Sequence, residues 1–202
     1  MTHRKPPPRV ASANPARGRP RSAETEQLIL GSAYAIMASQ GLAAATVDTV
    51  ARHSKASKMT IYKWWPSREA LLIDAFMNKA KTILTMPEGD NAARRLKDHA
   101  ANYVEALLGD FGKVQLAVIA ECIANTGSAA LFSERYLGSR RDMIVKVIKT
   151  GQAEGSITAQ ASAASLYDRI YGALFYRYVF GFAPLTPQEA RRLVGSVLNA
   201  AG

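Results

Sequence analysis

The chain has 202 residues, 48% of them hydrophobic and only 8% aromatic, with a net charge of +10. That length holds one ordinary domain and a small one, and an Ala-rich apolar share of this kind suits closely packed helices. The single cysteine, Cys122, excludes an internal disulfide framework and a Cys-based zinc finger, and no apolar run reaches the roughly 18 residues of a membrane span.

The charge is unevenly placed. Residues 1–81 carry 13 Lys/Arg against 5 Asp/Glu, a net of +8, whereas residues 82–202 carry 13 against 11, a net of +2. A basic N-terminal part on a nearly neutral body is the electrostatic footprint of a nucleic-acid reader attached to something else. No apolar stretch follows the first charges, so the N-terminus does not read as a signal peptide and the protein is expected in the cytoplasm.

Residues 1–21 hold five of the nine prolines and six basic residues without an acid, and are expected to be a disordered arm. Arg17-Gly18-Arg19-Pro20, followed by Arg21, suits an A·T-rich minor groove, where Arg favours the narrow, more negative channel. A solvated tail attracted to phosphates without choice of sequence is the competing reading.

Everything beyond residue 22 predicts helix and short turn, an all-α chain. The first helix spans about Ala23 to Gln40, with Ile29, Ala33, Ile36 and Met37 on one face and Gly41 as its stop. From Thr46 to Leu72 the sequence predicts two short helices, a tight turn between them, and a third helix after a Pro break. Thr46 caps the first, whose Val47, Val50 and Ala51 form a buried stripe. Ser57 caps the second, where Lys58, Thr60, Tyr62 and Lys63 mix phosphate-seeking charge with hydrogen-bonding groups. Pro66 ends it, and Ser67 caps a third helix beginning at Arg68 and running to about Met86. One helix that braces and one basic helix that presents polar groups is the division of labour of a helix-turn-helix.

Further helices are predicted from about Asn91 to Leu108, Lys113 to Ala124, Ala129 to Gln152, Ala161 to Phe182 and Pro187 to Ala200. Thr186-Pro187-Gln188-Glu189 combines a cap, a Pro at the first position and a Glu that closes a capping box. His3, His53 and His99 are isolated, no His/Asp/Glu/Cys spacing suggests a metal, and Cys122 on an apolar helix reads as a small buried hydrophobe. No nucleophile–base pairing, phosphate-cradling loop or paired carboxylates argue for an enzyme, and no cofactor is expected.

These residues resemble the tetracycline-repressor (TetR) family of bacterial transcriptional regulators. The likeness begins at Gly18-Arg19-Pro20-Arg21 and is densest at Ser57-Lys58-Met59-Thr60-Ile61-Tyr62 and Trp65-Pro66-Ser67-Arg68-Glu69-Ala70-Leu71. Tyr167-Asp168-Arg169-Ile170-Tyr171-Gly172-Ala173-Leu174-Phe175-Tyr176-Arg177 is similar to the penultimate helix of the subgroup with a tetracycline-repressor-like C-terminal domain. The resemblance implies about nine helices: an arm over 1–21, a three-helix DNA reader over 22–80, and a ligand-sensing, dimerising body over 81–202.

Carried over residue by residue, the resemblance makes Ser57, Lys58, Thr60, Tyr62 and Lys63 candidates for the recognition helix. Lys58, Tyr62 and Lys63 reach phosphates, and Thr60 meets a thymine methyl or a base edge. Thr46, Ser67 and Arg68 suit phosphate clamping at helix starts. The family usually has Gly where this chain has Lys55, which either adjusts the turn or adds a phosphate contact. Trp64, another departure, is expected beside the sugar-phosphate backbone or packed as an exposed aromatic. For an apolar ligand cavity the candidates are Tyr103, Cys122, Tyr136, Met143, Tyr171 and Phe175, which equally fit a core.

A reader this small gains specificity from two half-sites, so a homodimer on an inverted-repeat operator is expected. Leu166, Ile170, Leu174 and Val179 on one helix, with Leu193 and Val197 on the next, are the candidate four-helix interface; the alternative is that they face their own core. The expected function is a sequence-specific regulator, a repressor released by a small apolar or amphipathic effector. The alternative is an architectural protein that binds A·T-rich DNA without ligand control.

Overall fold

The computed structural model describes residues 22–124, 130 and 132–199. The basic arm with Arg17, Arg19 and Arg21 lies outside the described residues. Among those described, every regular element is helical. The helices are α1 (Ala23–Gln40), α2 (Val47–Ser54), α3 (Lys58–Trp64), α4 (Arg68–Ile83), α5 (Ala92–Leu108), α6 (Asp110–Ala124), α7 (Gly138–Ala153), α8 and α9 (Pro187–Leu198). Helix α8 is composite: α-helical Ala163–Tyr167 and Ala173–Phe180 flank a π turn, Asp168–Gly172. A 3₁₀ turn, Leu42–Ala44, follows α1, and a π turn, Ser133–Leu137, leads into α7.

Side-chain caps set most helix starts. Ser22, Thr46, Ser57, Ser67, Asn91, Ser162 and Thr186 each accept the backbone N–H three residues on, satisfying a donor that has no partner inside its helix. Gly41 at φ 84° and Gly181 at φ 64° end α1 and α8. Several ends depart from the periodicity. Helix α4 stops at Ile83 instead of Met86, and α6 begins at Asp110 instead of Lys113. At that corner a Cβ on Gly112 would collide with the Leu107 carbonyl oxygen, so only glycine lets α6 fold back against α5 this closely.

In the head, α1 packs on α4 around Ile29, Ala33, Val50, Ile61, Trp65 and Leu71, all buried. Trp65 Nε1 donates to Asp74 Oδ2 at 2.8 Å, pinning the end of α3 to α4. Helix α4 then leaves the head and enters the body. There Phe76 stacks on Phe111 and meets Tyr136 edge-on, both at 4.9 Å between centroids, with Phe132 at 6.4 Å.

The body is closed by α9, which packs along α5 and ties its end to Ala159 through Leu198. The stripe expected from sequence to form a dimer contact belongs to this closure. Leu166, Ile170 and Leu174 are fully buried within one protomer, Val197 is buried too, and Val179 and Leu193 are half-buried. Amphipathic period alone does not say which neighbour a stripe meets; here the α9 part meets the chain's own α5, and the α8 part meets α7 and α9. Among its large apolar side chains α8 leaves Tyr176 and Phe180 exposed, joined by Phe182 just past its end, with Tyr176 4.8 and 5.0 Å from the other two rings.

Candidate nucleic-acid interface and effector cavity

The head presents two capped helix starts on one side. Thr46 Oγ1 accepts from Thr49 N at 3.1 Å, and Ser57 Oγ accepts from Thr60 N at 3.0 Å. Each capping hydroxyl also sits 2.9 Å from the hydroxyl of its i+3 threonine, so Thr60 is oriented by Ser57 before any DNA arrives. On α3, Tyr62 and Lys63 are exposed, as are Ser57 and Lys58. Lys58 Nζ lies 2.7 Å from Asp48 on α2, an exposed pair of small energetic weight that a phosphate can displace. Met59, 84% exposed in the first turn of α3, is a further candidate that the sequence pattern did not single out. Its position was the available signal, because residues opening a recognition helix are the ones that meet base edges.

Lys55 adopts φ 57°, ψ 21°, the left-handed region, so the turn keeps the geometry that glycine usually serves and Lys55 bears the strain. Trp64 is half-buried with its ring 5.8 Å from Trp65 in a T-shaped contact, a packing position and not an open aromatic. Ser67 caps α4, with Ala70 N donating at 3.2 Å.

Arg68 is engaged within the chain. Its guanidinium donates to the Ala45 carbonyl (3.0 Å), the Leu42 carbonyl (2.5 Å) and Glu121 Oε1 on α6 (2.9 Å). The side chain therefore bolts the 3₁₀ turn that precedes the Thr46 cap to a helix of the body. Sequence placed Arg68 correctly at the start of α4, but only the tertiary contact reveals its partners.

The body holds a cavity of about 400 Å³ between α5, α6, the Ser133–Leu137 turn and α8. Its walls include Tyr103, Gln115, Ile119, Phe132, Tyr167 and Tyr171. Of the residues suggested from sequence, Tyr103, Cys122, Tyr171 and Phe175 line it. Tyr136 lines a small recess beside it, and Met143 lines neither. The π turn of α8 supplies Asp168, Tyr171 and Gly172 to the wall, and such turns are frequent where helices form ligand sites.

Polar groups are concentrated at the inner end. His99, 1% exposed, has Nδ1 2.7 Å from the Tyr171 hydroxyl and Nε2 3.1 Å from Arg140 Nη2. Burial, then the Arg140 charge, push its pKa down to about 4, with partial opposition from the Leu84 carbonyl. The ring is thus neutral at pH 7. Arg140 can only donate, so Nε2 accepts and Nδ1–H donates to Tyr171. Burial raises the Tyr103 and Tyr171 hydroxyls far above the ordinary tyrosine value, so both remain protonated. Arg140 also reaches the Leu84 carbonyl at 3.4 Å, where α4 ends. Among the described residues no cluster of His, Cys, Asp or Glu could hold a metal, and no helix is long and apolar enough to cross a membrane.

A capped helix-turn-helix carried on a helical body with an internal cavity is the architecture of a DNA-binding regulator. Residues 29–75 match the family model described as bacterial regulatory proteins, tetR family, and residues 86–197 match the tetracyclin repressor-like C-terminal domain. The chain belongs to the TetR family of transcriptional regulators. It is 30% identical to the uncharacterized HTH-type transcriptional regulator YdeS of Bacillus subtilis, over 88% of this chain and 90% of that one. Its fold resembles the crystal structure of TetR family transcription regulator SCO0332, with a TM-score of 0.78, 23% identity, and coverage of 89% of this chain and 100% of that one. It also resembles AibR, solved in complex with isovaleryl coenzyme A and operator DNA, at a TM-score of 0.55 and 14% identity over 88% of this chain and 100% of that one.

Proposed function

We propose that this chain is a homodimeric repressor that leaves an inverted-repeat operator when a small apolar or amphipathic molecule fills the cavity. The observation that carries this reading is the double face of α6. Ile119 and Cys122 form cavity wall, while Glu121 between them holds Arg68 and, through it, the turn that sets the reading helices. Phe132 acts in parallel: it lines the cavity and stacks near Phe76 of α4. A ligand that packs better when α6 or Phe132 shifts changes the relation of head to body, and the shift equals its difference in affinity between the two states. AibR, of the same fold, holds an acyl-coenzyme A and an operator together.

In this reading Lys58, Tyr62 and Lys63 bind phosphates, with Thr60 and Met59 at base edges, and Thr46 and Ser67 at the flanking backbone. The dimer forms through the exposed face of α8, where Tyr176, Phe180 and Phe182 stand beside the small Gly172 and Ala173. Selection from random duplex DNA at near-physiological salt tests the function. An enriched inverted repeat supports it; enrichment of A·T content without a palindrome shifts the reading to an architectural DNA-binding protein. Sedimentation of Phe180→Asp tests the dimer face: a monomer is expected, and an unchanged dimer moves the contact elsewhere.

A further inference from the structure

Resting on the effector-controlled reading above, we infer that the cavity takes an uncharged ring compound bearing a hydroxyl or N–H, whose donor is accepted by Gln115 Oε1. Gln115 sits on α6 between Val114 and Leu116, is 3% exposed, and lines the cavity. Its Nε2 donates to the Tyr103 hydroxyl at 3.0 Å. Its Oε1 is a buried side-chain oxygen without a hydrogen-bond partner among the described residues.

Such an orphan is rare in a native interior, because an unpaired buried acceptor forfeits its full hydration. The hydroxyls of Tyr103 and Tyr171 can turn their protons to suit a guest, whereas an amide oxygen has no proton to turn. With Gln115 Nε2 directed at Tyr103, a guest satisfies the amide oxygen by bringing the donor. Solvent can serve that oxygen while the cavity is open, but a guest without a donor displaces the solvent and leaves the oxygen dry.

The rest of the lining selects shape and charge. Tyr103, Tyr167, Tyr171, Phe132 and Phe175 make aromatic walls suited to a flat ring. A volume of about 400 Å³ holds a compact molecule. Among the described residues, the charges near the cavity are already engaged. Asp168 at the rim is held by Arg141 at 3.0 Å, and Arg141 lies over the Tyr167 ring at 5.4 Å. Arg140 is taken by His99 and the Leu84 carbonyl. A carboxylate would meet the Gln115 oxygen as a second acceptor, and a cation would find the Asp168 carboxylate already paired.

The test is a matched set on one scaffold, titrated calorimetrically into the full-length protein: 2-naphthol, 2-methoxynaphthalene, 2-naphthoate and 2-naphthyltrimethylammonium. The naphthol is expected to bind about ten-fold more tightly than the methoxy ether, as one satisfied buried acceptor implies. The two ions should bind no better than the ether. Gln115→Leu should bring naphthol and ether within about two-fold of each other, mainly by strengthening the ether. Gln115→Met, with circular dichroism melts of both variants, separates lost selectivity from lost folding.

The inference is overturned if no probe binds, if an ion binds best, or if the naphthol preference survives in the folded variants. Release of a selected operator duplex is read in the same titrations. Gln115-dependent selectivity without release would sink effector control and leave the ligand class standing. Release by probes that ignore Gln115 would do the reverse.

Discussion

Head and body use opposite materials. The head presents side chains that project outward from short capped helices, Tyr62 and Lys63 among them. The body encloses space that its side chains decline to fill, with one acceptor, Gln115 Oε1, left unpaired inside it among the described residues. An outward group can be changed with little effect on folding, whereas a cavity wall is also core. Mutations in the body should therefore alter stability first, and mutations in the head DNA binding first.

The sharpest way to break the body alone is its tightest corner. Gly112→Ala places a Cβ where the Leu107 carbonyl and the Tyr178 hydroxyl already stand. A destabilisation of about 3 kcal/mol in denaturant unfolding is expected. A value below about 0.5 kcal/mol would mean that the α5–α6 corner relaxes freely.

Acid should find the body next. The buried His99 has its pKa lowered to about 4 from 6.5, so the unfolded chain binds the proton more readily. Its contribution is fully present above pH 6.5 and is lost as pH falls toward 4, with a total of about 3 kcal/mol at most. His99→Gln should flatten the stability profile in that window; an equal acid slope in the variant would assign it to other groups.

The boundary between the regions is tested by a pair of substitutions. Arg68→Ala orphans two backbone carbonyls and Glu121, and should cost about 2 kcal/mol of stability while leaving the salt dependence of DNA binding unchanged. Lys63→Ala should do the opposite, lowering the salt slope by roughly one for each phosphate that Lys63 neutralises, with stability within about 0.5 kcal/mol. Should Arg68→Ala also reduce the slope, the assignment of Arg68 to the interior is wrong.

The smallest effect lies at the turn. Lys55→Gly removes a side chain from φ 57° and is expected to stabilise the head by about 0.5–1 kcal/mol, measured by thermal melting. A destabilised variant would show that interactions of the Lys55 side chain outweigh its backbone strain.

Much of the head was legible because its signals are local. Thr46, Ser57 and Ser67 cap the helices that the sequence assigned to them, since a cap needs only a hydroxyl and the N–H three residues on. The partners of Arg68 were not legible for the complementary reason: Leu42, Ala45 and Glu121 are 23 to 53 residues away. Tyr103 and Tyr171 were visible as aromatics on amphipathic helices, but period does not tell a wall from a filling. Gln115 escaped notice inside an apolar run, where a single polar residue reads as a surface position until its burial is known. Both π turns were invisible, as a one-residue insertion leaves no mark when its neighbours are also helix formers.

The insertion in α8 has a consequence for how such a protein can change over generations. One residue corresponds to about 100° of rotation in an α-helix. In the π turn that extra rotation is already absorbed, so deleting any one of Asp168 to Gly172 would close the rod into unbroken α-helix with both flanks in their present register. Leu174 would stay in the interior and Tyr176 and Phe180 on the exposed face, while the widened turn that brings Asp168, Tyr171 and Gly172 to the cavity wall would be lost. A single-codon event is thus enough to reshape one wall of the cavity while leaving the outward rings of Tyr176 and Phe180 where they stand.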